Sequence, residues 1–131
     1  MDTQRLKDNH RYYEDSGFAT TEIILSLKEM PEFNIHFDEK YFGDIFAFAP
    51  ACGKDWVGFT RDFHEKKGAW DFLNNDRDEI THIDEYLSDL IYYSDKLTKY
   101  EETPEVFDLI TDFLTYAKTI GQNVIVQVQE L

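Results

Sequence analysis

The residues of this chain able to act as nucleophile, general base or soft metal ligand are four histidines and one cysteine. His10, His36, His64 and His82 stand far apart in sequence, and no two have the spacing of a helical ligand pair. Cys52 alone builds neither a Cys-rich zinc site nor an internal disulfide. Paired with a distant histidine it would make a thiol nucleophile, but between Ala51 and Gly53 it reads as a small residue in a turn. His64-Glu65 reads as a solvated loop pair. There is no G-x-S-x-G elbow, no dinucleotide fingerprint and no P-loop, since Gly53-Lys54 is followed by Asp55. Asn74-Asn75-Asp76-Arg77-Asp78-Glu79 is rich in oxygen ligands but lacks the central glycine and terminal glutamate of an EF-hand loop. The expectation is a protein with no catalytic residues, no cofactor and no metal.

The informative chemistry is charge. Thirteen acids and three bases fall between Asp71 and Asp112, a net of −10 out of −14 for the whole chain. Acidic runs are commonly solvated faces that keep a protein soluble. Here the carboxylates sit on two expected helices and their loops, interleaved with Tyr86, Tyr92, Tyr93 and Tyr100. Carboxylates steer encounter with a basic partner, and tyrosines supply desolvated contact area. The expected partner surface comprises Asp71, Asp76, Asp78, Glu79, Glu85, Asp89, Tyr92, Tyr93, Glu101 and Glu102, with Tyr86 in the core.

These residues must be positioned by a fold, and 131 residues with 42% hydrophobic content suffice for one domain over 1–131. The excess of acid repels phosphate backbones and anionic lipid, so direct binding to nucleic acid or membrane is not expected. With no signal-peptide pattern at the N-terminus, no apolar run of membrane-spanning length and one cysteine, a cytoplasmic location is expected. Residues 103–121 form the clearest element. Thr103 is suited to an N-cap, Pro104 to the first turn and Gly121 to the C-terminal cap, while Val106, Leu109, Ile110, Phe113, Leu114, Ala117 and Ile120 recur at helical spacing. Residues 123–130 alternate as a strand. A helix is expected over 82–97, its apolar face formed by Ile83, Tyr86, Leu87, Leu90, Ile91 and Leu97. Residues 44–50, 56–63 and 69–73 read as a three-stranded antiparallel meander. In the first third, 3–14 and 20–30 read as helical, the latter with enough β-branched content to leave a strand open, and 33–37 reads as a short strand. The fold expected is α+β, an antiparallel sheet of the central meander plus a C-terminal strand, with helices packed against it.

The order Ile45-Phe46-Ala47-Phe48-Ala49-Pro50, Gly53, Trp56-Val57-Gly58-Phe59, Gly68-Ala69-Trp70-Asp71-Phe72 and then a helix from His82 resembles the later half of the SUKH superfamily over about 50 residues. In that family a strand of this form leads through a glycine turn to a second, a third strand carries an aromatic, and a helix follows. This chain has Ala51-Cys52-Gly53-Lys54-Asp55 where the family shows a Gly-Gly-Asp-like turn. The resemblance implies a bacterial immunity protein that binds and neutralises a polymorphic or contact-dependent growth inhibition toxin, often a nuclease.

Charge and resemblance lead to the same expectation: a non-enzymatic binder of a cognate basic toxin domain. A nuclease must be basic enough to hold phosphates, so an acidic surface would both steer binding and block substrate. The alternatives are an acidic nucleic-acid mimic, acting as an anti-defence protein of phage or mobile element, and a small ligand-binding domain.

Overall fold

Alternating apolar residues in two seven-residue segments, 21–27 and 124–130, define the centre of the fold. In the computed structural model, which describes residues 3–12, 21–46, 57–65, 77–93 and 101–130, these segments are strands. Strand β1 is Asn9–Tyr12, β2 Thr21–Leu27, β3 Asn34–Asp38, β4 Arg77–Ile80 and β5 Val124–Glu130. Helix α1 is Glu39–Phe46, α2 Gly58–Glu65, α3 Ile83–Tyr93 and α4 Thr103–Thr119. β2 and β5 pair antiparallel along their whole length, from Thr21 opposite Glu130 to Leu27 opposite Val124. The sheet order is β1-β3-β2-β5-β4, antiparallel except for the parallel pair β1–β3. The fold is α+β, as expected.

One face of the sheet is apolar because strand side chains alternate. Ile23, Leu25 and Leu27 of β2, Ile35 and Phe37 of β3, and Val124, Val126 and Val128 of β5 are all buried. The same core holds Tyr41 and Ile45 of α1, Phe59 of α2, Ile83, Tyr86 and Leu90 of α3, and the apolar stripe of α4 from Val106 to Ala117. All four helices thus cover that face. The intervening residues, among them Glu22, Ile24, His36 and Gln127, line the other.

The helix layer is pinned by buried polar contacts. Thr60 donates its backbone N–H and hydroxyl to the two oxygens of Asp89, at 2.8 and 2.5 Å, joining α2 to α3. Thr103 donates its hydroxyl to Asp44 at 2.5 Å, joining α4 to α1. All four residues are buried, so each pair removes what would otherwise be an unsatisfied donor or acceptor. Thr103 is therefore not the expected N-cap. It is the first helical residue, after Glu102, and its hydroxyl is committed to Asp44. At the other end, Gly121 at φ +71 closes α4 as expected, with Gln122 N–H bonded to Ala117 O and Gly121 N–H to Lys118 O.

Other expectations are corrected. The meander does not form where it is described: 44–46 belong to α1 and 58–63 to α2, while 47–50, 56 and 69–73 lie outside the described residues. Tyr41 and Ile45, four apart, both face the core, and their helical period overrides the β-propensity of the aromatic run. The segment 20–30 takes its strand alternative as β2, because pairing with β5 and β3 buries alternate residues. Residues 3–12 are not a helix, and 13–14 of that expected segment lie outside the described residues. A 3-10 turn at Gln4–Leu6 is capped by Lys7, and Asp8, with φ 49, then redirects the chain into β1. The strand at 33–37 is present as β3. β4, at a loop in the sequence reading, is a fifth strand. α3 covers the first part of the helix expected over 82–97, of which 94–97 lie outside the described residues.

Helix α2 begins at a close approach. Gly58 has φ +57, and a Cβ there would lie 2.9 Å from Tyr86 Cα and 3.0 Å from Glu85 O. Gly121 shares the left-handed conformation but has nothing within 4 Å of a Cβ. Gly58→Ala is expected to destabilise by more than about 2 kcal/mol, from left-handed strain plus a backbone clash, and Gly121→Ala by about 1 kcal/mol, from strain alone. Urea unfolding of both variants beside the parent checks the difference.

Candidate protein-binding surface

Helices α3 and α4 run antiparallel, since Lys118 near the end of α4 forms an ion pair with Asp84 at the start of α3. The end of α3, with Ile91 and Tyr92, is consequently at the same end of the pair as the first turn of α4. Ile91 is 68% exposed and Tyr92 57%. Exposure of one of the two tyrosines and burial of Tyr86 match the sequence reading, whereas Ile91, expected on the apolar face, points to solvent. The burial of α3 runs through Ile83, Tyr86 and Leu90, leaving Ile91 past the edge of that stripe.

On α4, acids recur at helical spacing as Glu105, Asp108 and Asp112, continuing the exposed Glu101 and Glu102 that precede the helix. The basic N-terminal segment meets part of this row. Arg5 pairs with Asp112, Arg11 lies 3.8 Å from Glu105, and Tyr12 donates its hydroxyl to Glu105 at 2.7 Å. Partial burial, followed by that bond to Glu105, raises the Tyr12 phenol above its usual range. Elsewhere Glu79 pairs with Lys28 at 3.0 Å and Glu85 with Arg61 at 3.4 Å. Among the described residues, five carboxylates of the acidic stretch are thus paired, all with cations from outside it. Glu101, Glu102 and Asp108 are exposed and have no cationic partner among the described residues.

The expected partner-binding residues therefore separate. Tyr92, Glu101 and Glu102 share one exposed end of the α3–α4 pair. Asp78 is exposed on β4, where its carboxylate accepts the Glu79 backbone N–H at 2.8 Å. Glu79 and Glu85 are half-buried in ion pairs. Asp89 is corrected outright: at 6% exposure and bonded twice to Thr60, it is a structural residue and no part of a surface. Its position on the helix put it with the outer acids only while α2 was read as a strand. Asp71, Asp76 and the side chain of Tyr93 lie outside the described residues.

Two further features complete the polar inventory. A cleft of about 360 Å³ lies at the opposite end of the α3–α4 pair, lined by Thr81, His82, Asp84, Lys118, Gln122 and their neighbours. On the polar face of the sheet, His10, Glu22 and His36 converge, with their ligand atoms within 4.8 Å of one another. Sequence spacing missed this cluster because its members come from three strands, and only the register of β1 on β3 brings the two histidines together.

Asp89→Ala is expected to destabilise by about 2–3 kcal/mol, by leaving the Thr60 donors buried and unpaired, while Glu101→Ala and Glu102→Ala stay within about 0.5 kcal/mol. Urea unfolding again checks both. Glu79 offers a pH test: hydrogen bonds from Lys28 first and Asn123 second hold its carboxyl below the usual glutamate range. Its contribution to stability is present above the ordinary glutamate value and lost as pH falls through the lowered one. A side-chain NMR titration should show the Glu79 midpoint rising in Lys28→Met. The chain matches no protein-family model, and comparison with curated proteins and with solved structures gives no match.

Proposed function

We propose that this protein is a bacterial immunity protein that binds and neutralises a cationic toxin domain, of the polymorphic or contact-dependent growth inhibition kind and in the first instance a nuclease. The observation that carries the reading is the exposure of Ile91 and Tyr92 at the end of α3 that runs toward the start of α4, where Glu101 and Glu102 are exposed as well. Neutralising a potent toxin takes a dissociation constant near nanomolar, about −12 kcal/mol, and exposed charges at well under 1 kcal/mol each do not supply it. Apolar and aromatic anchors beside the carboxylates can, because desolvated tyrosine contacts are typical hot spots. The unpaired acids provide steering toward a surface built to hold phosphates.

The resemblance to the SUKH superfamily points the same way, but the strands that suggested it are helical where described, so charge and anchors bear the weight. No helix among the described residues is long and apolar enough to cross a membrane, and the site of action proposed is the cytoplasm.

The test begins with affinity capture from the source bacterium and recombinant expression of the basic domain recovered. Co-expression should restore growth to cells making that domain. In stopped-flow measurements, rising salt should slow association far more than it speeds dissociation. Tyr92→Ala should cost roughly 2 kcal/mol in binding, and Glu101→Lys with Glu102→Lys should weaken it at least tenfold. Reversal of Glu29 and Glu32, exposed on the far β2–β3 hairpin, is the control. A captured partner that is not toxic contradicts immunity. Equal losses from control and patch reversals show that net charge alone governs binding.

A further inference from the structure

The polar face of the sheet holds a cluster that the proposed interface does not use. His10 lies on the edge strand β1, His36 on β3 and Glu22 on β2, so three adjacent strands contribute one side chain each. Register explains the convergence. Asn9 sits opposite Ile35 in the parallel pair, which sets His10 beside His36, and their rings stack at 3.7 Å between centroids, tilted by 31°. Ile24 is opposite His36, and Glu22, two residues back on the same face, is its diagonal neighbour.

The hydrogen bonds around His36 determine which of its atoms is available. The amide nitrogen of Asn34 donates to Asp8 Oδ1 at 2.8 Å, Pro31 O at 2.9 Å and Glu32 O at 3.3 Å. With its NH2 group so committed, Asn34 turns its oxygen to His36 Nε2 at 2.9 Å, and that nitrogen must carry hydrogen to make the bond. In the neutral ring Nδ1 then holds a lone pair, and it is aimed at a carboxylate oxygen of Glu22. Two acceptors facing each other in a largely buried place require a cation between them. A proton meets that requirement, and so does a metal ion, with His10 beside it as a third ligand. A histidine whose second nitrogen donates to a fixed oxygen is also the usual arrangement of a metal ligand, since the bond sets ring orientation and tautomer.

We propose that His10, Glu22 and His36 form a binding site for a divalent transition-metal ion of the zinc class, held through imidazole nitrogen and carboxylate oxygen. Tetrahedral zinc with ligands at about 2.0–2.1 Å separates them by about 3.4 Å. The present separations of up to 4.8 Å close to that by rotation of the exposed His10 ring, while the Glu22–His36 contact opens. Two histidines and one carboxylate leave a fourth position for water or a further ligand. The ion would tie edge strand β1 to the two strands inside it, so binding and fold stability are linked.

The test is calorimetric titration of the tag-free, chelator-treated full chain with Zn²⁺, alongside thermal unfolding with and without the ion. The expected result is one equivalent bound at micromolar affinity or tighter, a higher Tm, and shifted imidazole NMR signals for His10 and His36. His10→Ala should weaken binding at least tenfold and abolish the Tm rise. Because His10 is exposed, its loss leaves the fold intact; Glu22→Gln is a second variant, checked by circular dichroism. No binding at micromolar zinc, or unchanged affinity in His10→Ala, overturns the site.

Discussion

The seven-residue pairing of β2 with β5 is the constraint on which the rest of the molecule depends. It joins segments about a hundred residues apart in sequence and sets, in one register, which side chains meet the helices. A slip of one residue would place Glu22, Ile24 and Ser26 against the helix layer and turn Ile23, Leu25 and Leu27 to the opposite face. No such slip is tolerable, because three strands of alternating aliphatics share a core with four helices. Once the register is set, β3 pairs on one side of β2 and β4 on the far side of β5, and the polar face acquires its ordered set of residues.

The helix layer shows how a strongly acidic chain folds without self-repulsion dominating. Among the described residues, Asp44 and Asp89 are drawn inside to satisfy threonines, and five acids of the acidic stretch meet cations supplied from other parts of the chain. Exposed pairs of this kind contribute little stability each. Their consequence is spatial: among the described residues of the stretch, Glu101, Glu102 and Asp108 are left exposed without a cationic partner, around the start of α4. Under the proposed function, this selection of a small acidic end from a long acidic stretch is what makes the surface specific.

Elements that carry their own boundaries were legible in the sequence. α4 has Pro104 at its start, a long apolar stripe and Gly121 at its end, and β5 alternates without interruption. Tyr86 inside, and at least one of Tyr92 and Tyr93 outside, followed from helical spacing alone. Where local preference and tertiary pairing compete, the pattern misleads. Ile23-Ile24 suits either helix or strand until β5 supplies a partner, and the aromatic runs at 44–46 and 58–63 read as strands although Tyr41, Ile45 and Phe59 are core residues of helices. Asp89 was misplaced for the same reason, since its burial is decided by Thr60 on a helix not foreseen. The His10–Glu22–His36 cluster had no local signal, because its geometry exists only in the register of three strands.

The central functional claim is that binding takes place where the exposed end of α3 meets the first turn of α4. Hydrogen–deuterium exchange of the full chain, free and saturated with its basic partner domain, tests it most directly. The account predicts slowed exchange at the C-terminal end of Ile83–Tyr93 and over the first two turns of Thr103–Thr119, with β2 and β3 unchanged. Protection confined to the β2–β3 hairpin or to the polar face of the sheet, with both helices unchanged, would contradict it.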